Sequence, residues 1–445
     1  MTQAPETPKA APRGHDREIF ALALPAFGAL VAEPLFVMAD SAIVGHLGTP
    51  QLAGLGVAAA LLTTAVSVFV FLAYATTAAV ARRVGAGDLQ AAIRQGMDGI
   101  WLALLLGAVV VAVVLPTAPW LISLFGASDT VAPYAVTYLR ISALGIPAML
   151  MVLAATGVIR GLQDTRTPLY VAIGGFALNG GLNVALVYGA GLGIAGSAWG
   201  TVIAQCAMAA AYLIVVVRGA RRHHASLRPD AAGIRACAQA GVPLLVRTLS
   251  LRAVLMIATA VAARLGDAEI AAHQILLSLW SLLAFALDAI AIAGQAIIGR
   301  YLGAGDTEGA RAVCRRMVQW GVASGVVLGI LVIAARPLFV PLFTGDATVK
   351  DALLPALLVV ALSQPVSGIV FVLDGVLMGA GDGRYLAGAM VVTLAVFTPA
   401  ALLVPRVGGG LTTLWWAMTL MMLVRMVTLQ LRARSGRWLV TGAAR

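Results

Sequence analysis

The sequence predicts an all-α integral membrane protein with twelve transmembrane helices, arranged as two parallel six-helix bundles that form an internal repeat. Three observations predict this fold class: an apolar composition, a series of apolar runs of membrane-spanning length, and self-similarity at one fixed offset. Of the 445 residues, 61% are hydrophobic and only 11% are charged. Soluble domains are about half apolar and about a quarter charged, so this composition excludes a soluble enzyme of one or two domains.

Apolar runs long enough to cross a bilayer follow one another along the chain, separated by short connections. A spanning helix needs about 20 mostly apolar residues. Twelve runs meet this condition, and none is long enough to hold two helices. They lie at about 19–44, 52–80, 97–122, 132–158, 168–188, 192–217, 236–263, 270–298, 313–335, 352–378, 385–404 and 409–431.

The two halves of the sequence match at a single offset of 218 residues. Pro25 corresponds to Pro243, and the motif Gly-Ala-Gly-Asp at 85–88 recurs at 303–306. Further pairs with this offset are Leu47 and Leu265, Arg82 and Arg300, Gly157 and Gly375, Gly161 and Gly379, Asp164 and Asp382, and Arg166 and Arg384. Because each repeat holds an even number of spans, both halves have the same orientation, as in the parallel repeats of some secondary transporters. We therefore expect two like-oriented bundles with a cavity between them.

The order of segments along the chain follows from these runs. An N-terminal tail (1–18) precedes an N-terminal six-helix lobe (19–217), and a basic linker (218–235) leads to a C-terminal six-helix lobe (236–431) and a tail (432–445). Most basic residues fall on the side of the two tails, so the positive-inside rule predicts a multi-pass protein of the inner (plasma) membrane with both termini cytoplasmic. The net charge of +11 then indicates contact with anionic membrane lipids and not with nucleic acid.

Catalytic and metal-binding patterns are not visible in the sequence. The three cysteines, Cys206, Cys237 and Cys314, do not have the spacing of metal ligands, and no nucleophile–base constellation appears. We therefore expect neither an enzyme nor a bound cofactor or metal. Parallel bundles around a cavity favour a transporter over a channel or an inert scaffold, because such bundles suit alternating access.

Two acidic residues lie within the first span, where a charge is costly and often functional. Glu33 and Asp40 are seven residues apart and share one helix face, about 10 Å apart along the axis. The equivalent positions of the second repeat are uncharged, so the bundle does not need these carboxylates to form. Pro25 and Pro34 interrupt the backbone hydrogen bonds of the same span and allow a conformational bend. We predict proton or cation coupling at Asp40, with a structural acid as the alternative; Glu33 equally fits a coupling, bending or gating role.

The second bundle carries four further charges within its spans, at Arg247, Arg252, Asp288 and Asp374. Paired buried charges can hold helices in register at a high desolvation cost. Since two basic and two acidic residues allow internal pairing, the sequence leaves open a structural ion-pair network and a second functional site.

Neutral polar side chains complete the candidate pocket of the first bundle. Asn179 and Asn183 are four residues apart on the fifth span and share a helix face. Amide groups can bind a cation or hydrogen-bond a carboxylate. Thr201, Gln205 and Tyr138 are further candidates, although a threonine often bonds its own helix backbone and a tyrosine often lies at the membrane interface.

Several motifs together resemble the multidrug and toxic compound extrusion (MATE) transporters over about residues 20–430. They are LALPA with DSAIVGHLGTPQLAGLG, ARRVGAGD, GVIRGLQDTRTP, LNGGLN and LGIAGSAWGTVIAQ. The motifs RTLSLR and LDGVLMGAGD are more similar to the DinF-like branch of this family. The resemblance implies a twelve-helix fold of two lobes and export of organic cations and drugs, driven by proton or sodium entry. It also implies coupling at Asp40, with Asn179, Asn183 and Thr201 as associated polar ligands.

One departure from the family pattern bears on the coupling ion. Many MATE relatives have Asp where this chain has Asn183, and the loss of that carboxylate weakens a sodium site. We therefore favour H⁺ over Na⁺ in an antiporter for small organic cations or drugs that works as a monomer by alternating access. The alternatives are a flippase for an anionic lipid-linked precursor, in which Arg247 and Arg252 bind phosphate, and a passive channel or scaffold.

Overall fold

The computed structural model describes the backbone of residues 12–443, and it describes their side chains except those of residues 12–14, 33, 36, 37 and 39. This part of the chain consists of helices joined by short connections and contains no strand. The helices are α1 Pro12–Gly45, α2 Thr49–Val68, α3 Phe71–Gly85, α4 Leu89–Ser123, α5 Ala132–Ala143, α6 Ile146–Gly161, α7 Arg166–Val184, α8 Gly193–Arg222, α9 Ala231–Leu265, α10 Asp267–Gly303, α11 Thr307–Phe343, α12 Ala347–Gly379, α13 Gly383–Leu403 and α14 Leu411–Ser435. A π-helical turn, Ala185–Gly189, extends α7, and a 3-10 turn, Pro405–Val407, extends α13.

The long helices confirm the predicted all-α membrane fold. Within the described residues, ten helices are long and apolar enough to cross a membrane, with α2 and α3 counted together as Thr49–Gly85. The pair α5 and α6 is bent by 49° and gives an eleventh span when it is counted as one. Helix α1 adds a further helix of 34 residues at the start of the chain. We refer to α1–α8 as the N-lobe and to α9–α14 as the C-lobe.

The 218-residue repeat is also visible in how the helices pack. In the N-lobe, α6 approaches α3 so closely that a Cβ on Gly157 would collide with the carbonyl oxygen of Ala73. In the C-lobe, α12 approaches α10 in the same way, with Gly375 against the carbonyl oxygen of Ala291. Both members of this contact are shifted by 218 residues, so the glycines of the repeat serve one packing role twice.

The two lobes meet at the end of the molecule that carries both described chain ends, which we call the terminal face. The turns after α3 and α10 interlock there: a Cβ on Gly85 would strike the carbonyl oxygen of Arg300, and a Cβ on Gly303 would strike that of Arg82. A lone glycine hydrogen at each position is what allows this approach. The molecule is therefore closed at the terminal face.

Arg82 stabilises the closed terminal face by donating hydrogen bonds to three backbone carbonyl groups. Its Nη1 donates to Ala380 O of the C-lobe at 3.1 Å, while Nη2 and Nε donate to Val440 O at 2.6 Å and Gly442 O at 3.1 Å in the C-terminal segment. The side chain is only 2% exposed. Gly442 N in turn donates to Leu302 O of α10 at 3.1 Å, so the C-terminal segment lies across both lobes.

Two glutamines make the hydrogen bonds between the lobes that lie deepest in the molecule, measured from the terminal face. Gln163 Nε2 donates to Ala296 O at 2.9 Å, and Gln295 Nε2 donates to Tyr74 O at 2.5 Å. Between this level and the face opposite the terminal face, no hydrogen bond joins the lobes in the part of the chain that the structure describes. The hydrogen bonds between the lobes are therefore confined to the side of the terminal face.

Helix α1 contacts both lobes. At the terminal face, Asp16 accepts hydrogen bonds from Arg316 of α11 at 2.6 and 2.8 Å and from Trp320 at 2.9 Å. Along its length α1 packs on α7 of the N-lobe and on α10 of the C-lobe. The helix continues through Pro25 and Pro34. A movement of α1 near Asp40 can therefore change the contacts that this helix makes with the C-lobe.

Candidate functional site

Asp40 lies near the end of α1 that is remote from the terminal face, and the N-lobe surrounds its carboxylate. The residue is 7% exposed. Its Oδ1 accepts hydrogen bonds from Asn183 Nδ2 at 2.6 Å and from Ser197 Oγ at 2.7 Å. Its Oδ2 accepts a longer bond from Tyr138 Oη at 3.3 Å. Three helices, α5, α7 and α8, therefore converge on one carboxylate.

The donors are positioned by close packing of α7 against α8. Asn179 and Asn183 lie one turn apart on α7, and Ser197 and Thr201 lie one turn apart on the facing side of α8. Asn179 Nδ2 donates to Thr201 Oγ1 at 3.1 Å, one turn below the bonds to Asp40. A Cβ on Gly200 would collide with Asn183 Oδ1, so glycine at this position allows the asparagine to turn its nitrogen towards Asp40.

The donors around Asp40 are uncharged. Among the residues that the structure describes, no basic side chain bonds to this carboxylate. The same pocket contains buried oxygen atoms without a hydrogen-bond partner, namely Asn179 Oδ1, Asn183 Oδ1, Ser142 Oγ and Gln205 Oε1. A carboxylate with neutral neighbours can become uncharged without stranding a buried cation, which a salt-bridged carboxylate cannot do.

A cavity of about 340 Å³ lies between this pocket and the face opposite the terminal face. Tyr134 in its wall is one turn before Tyr138 on α5, and Ile194 is three residues before Ser197 on α8. The complete lining is Leu47, Gln51, Tyr134, Thr137 and residues 191–195. Solvent in this cavity is therefore within about one helical turn of two of the groups that bond to Asp40.

The structure brings together most of the polar residues that the sequence singles out in the first bundle. Tyr138 is buried against Asp40 and does not lie at an interface. Gln205 belongs to the same region, but its Oε1 contacts Gly145 and has no hydrogen-bond partner. The side chain of Glu33 lies outside the described residues, so its predicted role is still a prediction. Ser197 also bonds to Asp40 but was not among the predicted residues, although its position four residues before Thr201 on α8 places it on the same helix face.

The charges of the C-lobe are arranged differently from a simple pairing of two acids with two arginines. Asp374 forms ion pairs with Arg247 and with Arg425 of α14, the latter at 3.1 Å. Arg425 falls near the end of the last predicted span, where a basic residue is expected at the membrane surface, but it is 5% exposed and lies inside the lobe. Arg252 is exposed, and neither it nor Asp288 has a hydrogen bond or ion pair in the described part of the chain.

Histidine, cysteine, aspartate and glutamate are the typical metal-ligating side chains. The described residues contain no group of three of them that could hold a metal ion. The three cysteines are unpaired. The chemistry of the N-lobe pocket is thus that of one carboxylate and several neutral oxygen and nitrogen groups.

Comparison with known proteins gives the same picture of the fold. The structure of a Vibrio cholerae MATE transporter, VcmN in the bent form, superposes with a TM-score of 0.86 at 22% identity, covering 96% of this chain and 99% of that chain. Many relatives also match at the sequence level, and two of them are informative. Protein DETOXIFICATION 44, chloroplastic, of Arabidopsis thaliana is 33% identical over 440 residues, covering 95% of this chain and 83% of the relative.

The second relative belongs to the branch that the motifs indicate. The DNA damage-inducible protein F of Escherichia coli strain K12 is 29% identical over 437 residues, covering 95% of this chain and 94% of the relative. The MatE family model itself matches twice, at residues 25–185 and 243–402, and its two matches begin 218 residues apart. With one match in each lobe and most of the chain covered, this protein belongs to the MatE family of multidrug and toxic compound extrusion transporters.

Proposed function

We propose that this transporter exports amphipathic organic cations and drugs from the cytoplasm by antiport with protons, through alternating access of its two lobes. The observation that carries the proposal is Asp40, a carboxylate within a membrane span that is bonded only to neutral donors. An ionisable group inside a membrane span is often part of a proton or ion pathway. The proposal places the coupling step at this residue.

The neutral surroundings of Asp40 favour H⁺ as the coupling ion. Asn183, Ser197 and Tyr138 stabilise the ionised carboxylate by hydrogen bonds, and a proton from the adjacent cavity can replace that stabilisation. A sodium ion would need several oxygen ligands, and the pocket offers one carboxylate with neutral amides and hydroxyls. Asp374 in the C-lobe differs from Asp40, because its two arginine partners stabilise the charged carboxylate. Na⁺ coupling is therefore an outcome of the test below and not part of the proposal.

Alternating access would couple this protonation to the movement of the lobes. The positive-inside rule assigns the terminal face to the cytoplasm, so the closed end lies on the cytoplasmic side and the cavity beside Asp40 faces outwards. Uptake of a proton at Asp40 weakens its bonds to α7 and α8, and α1 transmits the change to the C-lobe through Asp16. Pro25 and Pro34 are the positions at which α1 can bend. A ligand drives such a cycle only through unequal affinity for the two states.

The proposed partners of the protein are membrane lipids and the exported compounds. The protein would act as a monomer in the inner membrane, with its basic residues near anionic lipid head groups. A flippase for an anionic precursor would need several free basic groups between the lobes. Arg247 and Arg425 share the single carboxylate of Asp374 inside the C-lobe, and Arg252 is exposed outside this network. These arginines do not form a group of free basic side chains between the lobes, which favours the antiporter.

Ethidium efflux from cells that express the protein tests the proposal. Asp40→Asn should abolish efflux at normal expression, because an amide cannot exchange the proton, and Asp40→Glu should retain part of it. Addition of an uncoupler should stop efflux by the wild type, which separates a carrier from a passive channel. Wild-type efflux by Asp40→Asn would end this account of coupling.

A further inference from the structure

Three charged side chains meet inside the C-lobe, and we call them the C-lobe cluster. Asp374 of α12 accepts hydrogen bonds from Arg247 of α9, through Nε to Oδ1 at 3.2 Å and through Nη2 to Oδ2. Its Oδ2 also accepts a bond from Arg425 Nη2 of α14 at 3.1 Å. All three residues are at most 9% exposed. The cluster is separate from the pocket around Asp40, which belongs to the N-lobe.

The charges of the C-lobe cluster do not balance. Two guanidinium groups share one carboxylate, so one positive charge is in excess. Asp288 of α10 and Arg160 of α6 are the nearby charges outside the cluster, and they are opposite in sign. The excess of one positive charge therefore persists among the described residues when both are included. An uncompensated charge inside a membrane protein is costly, which favours a bound anion.

The two guanidiniums also have more hydrogen-bond donors than acceptors around them. A guanidinium carries five N–H donors. Arg247 directs two of them at Asp374, and Arg425 directs one at Asp374 and one at the sulfur of Met422 at 3.8 Å. A thioether sulfur is only a weak acceptor. Since the described residues provide no other hydrogen bond to these side chains, several charged donors remain for one more acceptor.

A small cavity adjoins the C-lobe cluster. Its volume of about 10 Å³ is close to the space that one water-sized particle requires. The two guanidiniums, the carboxylate of Asp374 and Thr428 form its polar wall. The apolar wall consists of Leu386, Ala389, Met390 and Leu429. A space of this size excludes a phosphate or an organic acid and suits a single spherical ion that is only slightly larger than water.

We infer that the C-lobe cluster is a binding site for one halide ion, which is chloride under physiological conditions. Two positive guanidiniums face the site against one carboxylate, so the attraction of the anion exceeds its repulsion by Asp374. A bound halide makes the cluster electrically neutral and accepts hydrogen bonds from the free N–H groups. Water fits the same space but leaves the excess charge in place. The inference concerns the stability of the C-lobe and does not depend on the proposed export function.

Thermal unfolding of the purified protein in detergent tests the site. The apparent Tm is measured at constant pH and ionic strength while sodium gluconate is replaced stepwise by sodium chloride or sodium bromide. A ligand that binds only the folded state should raise the Tm by about 2–4 °C with a saturable dependence on its concentration. A Tm that does not depend on either halide would overturn the inference and leave water as the occupant.

Arg425→Met assigns the effect to the cluster. The substitution removes the excess positive charge and leaves Arg247 paired with Asp374, so the Tm of this variant should no longer depend on halide. Arg252→Met is the matched control, since Arg252 is an exposed arginine of the same lobe outside the cluster, and it should keep the full dependence. The same halide dependence in Arg425→Met as in the wild type would overturn the inference.

Bromide in crystals of the unsubstituted protein gives a readout that needs no variant to fold. Anomalous scattering should locate a bromide ion between the guanidiniums of Arg247 and Arg425. An ordered cluster without bromide there would contradict the inference. Neither experiment requires Asp40 or an ion gradient, so a missing halide site leaves the proposal of proton antiport intact, and loss of proton coupling leaves halide binding measurable.

Discussion

Replacement of Arg82 by alanine tests how the terminal face is held closed. The guanidinium donates to three carbonyl oxygens, of Ala380, Val440 and Gly442, at 2.6–3.1 Å, and the side chain is 2% exposed. A hydrogen bond from a charged donor contributes about 1.5–3 kcal/mol. Loss of all three should therefore destabilise the closed state by roughly 4 kcal/mol or more. A shift from 1:99 to 99:1 needs about 5.5 kcal/mol, so the expected change is a clear rise in the open population.

Distance measurements between spin labels at Ala86 and Ala304 report this population. Both residues are exposed in the turns of the terminal face and are equivalent in the repeat. In a background without the native cysteines, the unsubstituted protein should give one short distance. Arg82→Ala should add a longer one. Arg83→Ala is the matched control, because Arg83 bonds to Gln95 within the same lobe. An unchanged distribution in Arg82→Ala, or the same change in Arg83→Ala, would refute the reasoning.

Three further predictions concern the pocket and the packing of the lobes. Ser197→Ala removes a donor to the ionised Asp40, a bond worth about 1.5–3 kcal/mol, so the pH dependence of efflux should move to higher pH by about one to two units. Asp374→Asn strands two buried arginines and should lower the free energy of unfolding by about 3–5 kcal/mol, seen as a lower apparent Tm in detergent. Gly375→Ala pushes α12 away from α10 and should cost about 1–3 kcal/mol in the same assay, whereas Gly388→Ala, whose Cβ meets no neighbour, should be neutral or slightly stabilising.

Each of these predictions has a distinct contrary result. An unshifted pH profile in Ser197→Ala would show that this hydroxyl does not set the charge state of Asp40. A Tm of wild-type height in Asp374→Asn would mean that water or rearranged side chains compensate Arg247 and Arg425. Equal stability of Gly375→Ala and Gly388→Ala would show that the close approach of α12 to α10 is not required.

The sequence predicts the helices, the repeat and the central carboxylate because each depends on local pattern. Apolar runs define spans regardless of their neighbours, and a carboxylate such as Asp40 within such a run stands out. Gly157 and Gly375 are visible as a repeated pair, although only the structure shows the carbonyl oxygens that they accommodate. Asn183 was found because it shares a helix face with Asn179.

Contacts between distant segments are where sequence reasoning failed. Ser197 looks like an ordinary small residue of an apolar helix until α8 is packed against α1 and α7. Arg425 lies near the end of its run, where a basic residue is normally assigned to the membrane surface. Its position inside the lobe depends on Asp374, which the neighbouring helix α12 presents. The sequence leaves the arrangement of the four C-lobe charges open, and only the packed helices show which acid meets which arginine: Asp374 pairs with Arg247 and Arg425, while Asp288 has no hydrogen-bond or ion-pair partner among the described residues.

Transport into proteoliposomes tests the coupling of export to proton entry at Asp40 most directly. Purified wild type and Asp40→Asn are reconstituted, and ethidium movement is followed after imposing either a pH difference or a sodium difference alone. The account predicts that a pH difference drives uphill movement by the wild type, that a sodium difference does not, and that Asp40→Asn responds to neither. Uphill movement driven by sodium alone, or by a pH difference in Asp40→Asn, would contradict it.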